Sequence, residues 1–361
     1  MPRTRLLIDV LQEPLRMAEL DLYQWDLLLR AARSTRLLGR LTADIDRFEL
    51  HDRIPPQVKP HLQSEATHAK RQRRIVQWEI NRLTRSLHRV DTPLVLLKGA
   101  AYVAADLPAA QGRIYNDVDL LVRMEKLAAV EQALALDGWE VSEETPHDEQ
   151  YFRRWLHELL PMQHRHRRTA LDVHHNILPR IDHLCFDPEK LLERAVPAQQ
   201  SCSMQVLCPA DMVIHNCVHL FRNGHFSTGL RDLVDLKSLL ASFALHDGFG
   251  RRLADRIEEL GVQVPCYWAC RYAMQYLQAP VPSEVQTKLP GWRPGWPPTL
   301  AMDRLVDKAF LPGMLDHDEP LRSVSHWILE RYPLFLLRKS VIPKLERLAP
   351  RAVRGHSPRN L

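Results

Sequence analysis

Residues 113–122, RIYNDVDLLV, set two carboxylates, Asp117 and Asp119, one residue apart at the mouth of an apolar run. In a strand, positions i and i+2 point to the same face, so the two side chains project together. Like charges at that spacing destabilise each other, and each raises the pKa of the other. A divalent cation relieves the repulsion, and Mg²⁺ suits it, taking one or two carboxylates plus phosphate oxygens from a substrate. A third carboxylate, Asp172, lies in a second apolar run, ALDVHHN, between Leu171 and Val173, so it faces opposite to them. If the two runs are neighbouring strands, the three aspartates meet. Three carboxylates around two metal ions are an apparatus for moving a phosphoryl or nucleotidyl group. One ion activates the attacking hydroxyl and the other steadies the leaving pyrophosphate.

Upstream, DTPLVLLKGAAY predicts a turn, a short apolar strand (Leu94 to Leu97) and a helix opened by Lys98-Gly99-Ala100. A strand that turns through glycine into a helix N-terminus presents backbone N–H groups and the positive end of the helix dipole, a cradle for phosphate. Small residues at 99–101 let phosphates approach, and Lys98 adds a point charge. Arg113, four residues before the first aspartate, is placed to contact phosphate or substrate. Each piece alone is weak, since a DxD pair is more often a turn or surface feature than a metal site. The order is far more specific: apolar strand, KGA, helix, apolar strand with DVD, helix, hairpin with an embedded aspartate.

Several further residues are accessory candidates. His174, two residues beyond Asp172, is a better neighbour for the aspartates than His175, with a sheet-surface role as the plainer reading. His215 and His219 stand i, i+4 on a predicted helix, a spacing that can chelate zinc. No glutamate follows His215 and no third ligand is evident, so hydrogen-bonding or core-edge roles are the commoner outcome, with a substrate contact by His219 open. Arg231 and Asp235 fall where a helical domain could close over the cleft. Their plainer reading is a surface i, i+4 ion pair worth roughly a few tenths of a kcal/mol.

Four regions must position these groups. Residues 1–90 read as an N-terminal helical region, clearest over 60–88, where Leu62, Ala66, Ala69, Val76, Ile80, Leu83 and Leu87 hold a helical rhythm broken by Arg73. Its other faces carry Lys70, Arg71, Arg74, Arg82 and Arg85, first read as a solvated face and second as a polyanion contact. Residues 91–200 form the α/β core: a helix over MEKLAAVEQALAL closed by Gly138, then a strand, then a hairpin whose basic turn spans Arg165 to Thr169. Residues 201–278 read as helices, the first capped near Asp211. Residues 279–361 combine a Pro/Trp-rich irregular loop (279–301), an amphipathic helix and a basic tail. From 338 on, seven Lys or Arg face one Glu, which reads as an exposed solubilising tail, with an anionic surface as the alternative partner.

The bulk numbers fit this picture. With 361 residues and 45% hydrophobic composition a packed core is attainable, and only 13 glycines favour helices over an all-β fold. A net charge of +5 is too weak to argue for nucleic acid, and no long nucleic acid is expected. The N-terminus is interrupted by charge and proline, unlike a signal peptide, and no run approaches a membrane span. Six scattered cysteines read as free thiols, and the expected compartment is the cytoplasm.

The motif order resembles the nucleotidyltransferase superfamily typified by DNA polymerase beta. More closely, LLKGAAY, GRIYNDVDLLV and LDVHHNIL, with the later PADMVIHNCVHLFRNG and LRDLVDLKSLL, resemble a bacterial family of uncharacterised nucleotidyltransferases over residues 93 to about 240. The resemblance implies an α+β fold, a small mixed sheet embedded in N- and C-terminal helical regions. It implies Asp117, Asp119 and Asp172 as metal ligands, and Lys98 and Gly99, with Ala100 in the same turn, at the phosphates. The implied cofactor is Mg²⁺, two ions, with Mn²⁺ as a substitute. The implied substrates are an NTP, ATP foremost, and a hydroxyl-bearing acceptor. One departure stands out: the superfamily turn reads Gly-Ser or Gly-Gly-Ser, whereas this chain has Gly99-Ala100-Ala101 and lacks that hydroxyl. A non-catalytic nucleotide- or partner-binding module is therefore the alternative, with a metal-dependent phosphohydrolase third. Base preference, acceptor and oligomeric state are not encoded legibly.

Overall fold

The computed structural model describes residues 3–141, 157–180, 182, 184–199, 201–223, 228–295, 299–300, 302–304 and 306. The expected C-terminal amphipathic helix and basic tail lie outside the described residues. The chain opens with α1 (Arg3–Gln12), α2 (Leu22–Ser34), α3 (Leu38–Arg47) and the long α4 (Lys59–Ser86). Asp21 starts α2 through a capping box with Gln24, satisfying orphan N–H groups at the helix end. Then follow β1 (Val95–Leu97), α5 (Lys98–Ala104), β2 (Asp117–Leu121), α6 (Leu127–Leu136), β3 (Trp139–Val141), β4 (Met162–His164) and β5 (Ala170–His174). Next come α7 (Glu189–Leu192), β6 (Val196–Ala198), β7 (Ser201–Val206), α8 (Pro209–Val218), α9 (Gly229–Phe243), α10 (Phe249–Glu259), α11 (Gln263–Leu277) and α12 (Ser283–Trp292).

The strands form one mixed sheet in the order β3-β4-β5-β2-β1-β7-β6. β1 and β2 run antiparallel, while β2 pairs with β5, and β1 with β7, in parallel. Every residue of β1 is buried, and β2 is buried from Val118 onward, as continuous apolar strands at a sheet centre should be. The hairpin of β4 and β5 and the closure of α6 before Gly138, at φ +91°, follow the sequence reading. No described helix is long and apolar enough to cross a membrane. Cys185, Cys208, Cys217, Cys266 and Cys270 are free thiols.

Three sequence expectations are corrected. The sheet continues beyond residue 200, because β7 pairs with β1, next to the central strand, and brings β6 with it. The irregular loop expected over 279–301 contains α12, which tolerates Pro290 only two residues from its end. Asp211 is not the cap of α8: Cys208 holds that position without a side-chain bond. Asp211 is instead fully buried and takes a two-point contact from Arg256 of α10, at 2.7 and 2.9 Å.

The N-terminal helices reach the site through a backbone contact. A Cβ on Gly39 in α3 would overlap the Gly112 carbonyl, and one on Gly112 would overlap the Gly39 carbonyl. Gly112 also has φ +68°, and it directly precedes Arg113 and the approach to β2. Only glycine at both positions lets α3 sit against this loop. Gly39→Ala is expected to destabilise the protein by about 2 kcal/mol through forced backbone displacement. Urea unfolding followed by circular dichroism measures this, and an unchanged midpoint would show that the contact is dispensable.

Candidate active site

β2 and β5 pair in parallel with Asp119 directly opposite Asp172. Facing partners in adjacent strands share a side of the sheet, so both carboxylates point to the same face. Asp117 begins β2 on that face, and Lys98 follows immediately after β1, whose Leu97 pairs with Asp119. All four line a cavity of about 370 Å³ together with Gly99, Arg113, His174, His215, His219, Arg231 and Asp235. Ala100 is buried beside the turn rather than in the lining.

Asp119 is the buried centre, 2% exposed. Its Oδ1 accepts from the Lys98 ammonium at 2.6 Å and lies 3.0 Å from His174 Nε2. Burial works against its charge, but Lys98 and then His174 outweigh burial and hold its carboxyl far below the usual range. Lys98 is shifted up in turn: burial opposes its charge, and Asp119 more than compensates. Lys98 takes a left-handed φ of +44°, unusual for a side-chain-bearing residue, and this conformation turns the chain from β1 into α5.

Asp172 behaves oppositely. Burial first, and then the charges of Asp119, Glu158 and Asp117, push its carboxyl up to about 7. Asp117 is also raised, by burial and then by Asp119. His174 is raised as well. Burial opposes its charge, but the bond to Asp119 and the charge of Glu158, whose Oε2 lies 3.1 Å from Nδ1, prevail.

The remaining candidates have specific places. Arg113 is not free for phosphate alone: its guanidinium pairs with Asp235 and lies 5.6 Å over the Tyr102 ring. Arg231 and Asp235 do not form the expected surface i, i+4 pair. Arg231 contacts Asp232 at 2.9 Å, Asp235 pairs with Arg113, and both Arg231 and Asp235 line the cavity. Gly99 is small for a reason beyond phosphate access, since a Cβ there would lie 2.8 Å from the Tyr115 ring. His215 and His219 share the cavity wall with ring centroids 6.3 Å apart, His219 opening the π-helical turn His219–Asn223. Such turns recur at functional sites. Burial, then the nearby Lys98 charge, pushes His215 down to about 3 and lowers His219 as well, so both are neutral at pH 7.

Among the described residues, two groups bring three metal-ligating atoms within 4.8 Å of one another: Asp119, Asp172 and His174, and His157, Glu158 and His174. Neither contains His215, His219 or Asp117, which sits two residues along β2 from Asp119. The donor set suits a divalent ion. The cavity is lined by six carboxylates against four Lys or Arg, and Asp172 holds a proton near neutrality where a cation would replace it. Lys98 and His174 both contact Oδ1 of Asp119, so Oδ2 is used by neither. Sequence reasoning missed His157 and Glu158, adjacent residues just before the hairpin, and Arg36, which reaches the cavity from the N-terminal helices. Only the HE pair offered a signal, and nothing local tied it to the aspartates.

A raised carboxyl pKa fixes the sign of a stability effect. Between its unfolded value near 4 and its folded value of about 7, the unfolded chain binds fewer protons, so stability falls as pH rises through this window. Asp172→Asn removes that penalty. It is expected to raise the melting temperature of the metal-free protein at pH 8 and to change it little at pH 4.5. Differential scanning calorimetry at the two pH values checks this, and equal shifts at both would refute the charge-repulsion account.

A comparison with curated proteins gives no match. The family described as uncharacterised nucleotidyltransferase matches residues 21–278, spanning α2 to α11 and therefore the whole sheet and cavity. The chain belongs to this uncharacterised nucleotidyltransferase family.

Proposed function

We propose that this protein transfers a nucleoside monophosphate from an NTP, ATP foremost, to a hydroxyl group of a small molecule, sugar or protein side chain, releasing pyrophosphate. The observation that carries the reading is the in-register facing of Asp119 and Asp172 across β2 and β5, with Asp117 and Lys98 on the same cavity. Asp117, Asp119 and Asp172 would hold Mg²⁺, or Mn²⁺ in its place, which supplies Lewis-acid stabilisation of the phosphates. A carboxylate-rich lining alone would repel a triphosphate, which makes binding of the nucleotide dependent on the cation.

The chain's own groups account for the rest. Asp172, kept ionised by the bound cation, would accept the acceptor's hydroxyl proton. The acceptor oxygen forms a bond to the α-phosphorus as the bond from that phosphorus to the α,β-bridging oxygen breaks, and pyrophosphate departs with the electron pair. Lys98 and the paired guanidinium groups of Arg113 and Arg231 offset the phosphate charge. Because Asp235 and Asp232 hold the two arginines, their orientation is set before substrate arrives. A cavity of about 370 Å³ matches a small-molecule site rather than a nucleic-acid groove.

A second reading, a binding module without turnover, is favoured by one observation: the turn lacks the usual hydroxyl, and the Tyr115 ring fills the space beside Gly99. The two separate in a single experiment. The protein is incubated with each NTP, Mg²⁺ and a panel of hydroxyl acceptors while pyrophosphate is measured, with calorimetry in parallel. Turnover should be abolished by chelator and reduced to background by Asp119→Asn. Asp172→Asn should lower kcat about 10²- to 10⁴-fold, the range for losing a general base. Metal-dependent NTP binding without pyrophosphate would establish the binding module instead. Free phosphate formed without any acceptor would indicate a phosphohydrolase.

A further inference from the structure

His157, Glu158 and His174 converge on a point beside the aspartates. Glu158 Oε2 lies 3.1 Å from His174 Nδ1 and 3.9 Å from His157 Nε2. The two imidazole rings face each other at 5.5 Å with an interplanar angle of 31°. One donor atom from each residue falls within 4.8 Å of the other two, close enough to surround one ion. Two nitrogens and one carboxylate oxygen are a borderline donor set, which suits a zinc-type ion better than Mg²⁺.

The surroundings of His174 add an independent argument. A metal-binding histidine characteristically donates its other ring N–H to a carboxylate, which fixes its tautomer and orientation. Here Nδ1 faces Glu158, while Nε2 lies 3.0 Å from Asp119 Oδ1. The Nδ1 atoms of His157 and His174 are buried and make no hydrogen bond of acceptable geometry among the described residues. His157 and Glu158 also line the main cavity, so a fourth coordination position would open onto it.

We infer that His157, Glu158 and His174 form a second metal site, for a zinc-type divalent cation, joined through the His174 ring to Asp119. An ion there keeps the Nε2–H of His174 directed at Asp119 and so fixes the central carboxylate of the neighbouring site. The competing account is an imidazolium pinned between Asp119 and Glu158 by charge alone, with no ion.

The two are separated with the full-length protein, stripped of metal by chelator and titrated with Co²⁺ under visible spectroscopy and with Zn²⁺ by calorimetry. The expected result is one Co²⁺ with the intense visible bands of a four-coordinate, imidazole-ligated ion, displaced by Zn²⁺. The same bands should persist in the Asp117→Asn/Asp172→Asn double variant, which disables the carboxylate site. His157→Ala and Glu158→Gln should each weaken binding by about tenfold or more. His157→Gln, closer in size, serves if the alanine variant loses its circular dichroism signature. Binding unchanged in His157→Gln and Glu158→Gln, weak six-coordinate absorption, or loss of the bands in the carboxylate variant would each overturn the inference. None of these readouts needs nucleotide turnover, so failure of the nucleotidyl-transfer reading leaves the test intact.

Discussion

The structure turns on one buried charge. Asp119 sits in the central strand of the sheet with 2% of its surface exposed. An isolated carboxylate in such a place is costly by several kcal/mol, and it persists only when paired and hydrogen-bonded. Lys98, at the start of α5, and His174, at the end of β5, provide that pairing, both at Oδ1. The demand reaches far into the fold. β1 must end at Leu97 so that Lys98 follows it, Lys98 takes a left-handed conformation there, and β5 must pair with β2 in one register. A one-residue slip of β5 would turn Asp172 and His174 to the opposite face and leave Asp119 short of a partner.

The helical half of the chain supplies a wall whose polar groups are tied down in the same way. α9 brings Arg231, Asp232 and Asp235 to the cavity, and α8 brings His215 and Asn216. Asp235 holds Arg113 from the sheet side, while Asn216 donates to the Asp232 carbonyl at 3.2 Å. Behind them, the buried Asp211–Arg256 pair joins α8 to α10. Buried ion pairs of this kind add little net stability, but losing one partner leaves an uncompensated charge, which makes the arrangement specific. The wall's polar groups are therefore tied down where they meet the aspartates, although the wall comes from sequence more than 90 residues after Asp117 and Asp119.

Much of this was legible in the sequence because it is local. The strand alternation of RIYNDVDLLV put Asp117 and Asp119 on one face, and the isolated Asp172 between Leu171 and Val173 pointed to a second such strand. Periodicity identified α4 and the helices after residue 208 for the same reason. What escaped was set by tertiary pairing. β7, SCSMQV, is too polar to announce itself as a neighbour of β1, and it is recruited by the edge β1 leaves open. Pro290 suggested a break, yet a proline near a helix end leaves the preceding turns intact. Arg231 and Asp235 have ideal helical spacing for each other, but each found a closer partner across the cavity or next in sequence. Glu158 and His157 carried no periodic signal, and they meet Asp119 through the end of β5, above all the His174 ring.

The electrostatics of the aspartates show why a folded chain would keep such a group together. Lys98 and His174 satisfy Asp119 so fully that its carboxyl is driven far down, and the charge thus fixed on Asp119 helps to drive Asp172 up to about 7. The two effects are one interaction seen from either side. The fold can afford one stable buried anion, and the second carboxylate facing it is fully charged at neutral pH only when more positive charge arrives. Apolar packing could have filled the end of the sheet at lower electrostatic cost, as β1 does one strand away. The retained imbalance is thus a binding potential for cations, concentrated at the one place where the strands, the KGA turn and the helical wall open to a common cavity.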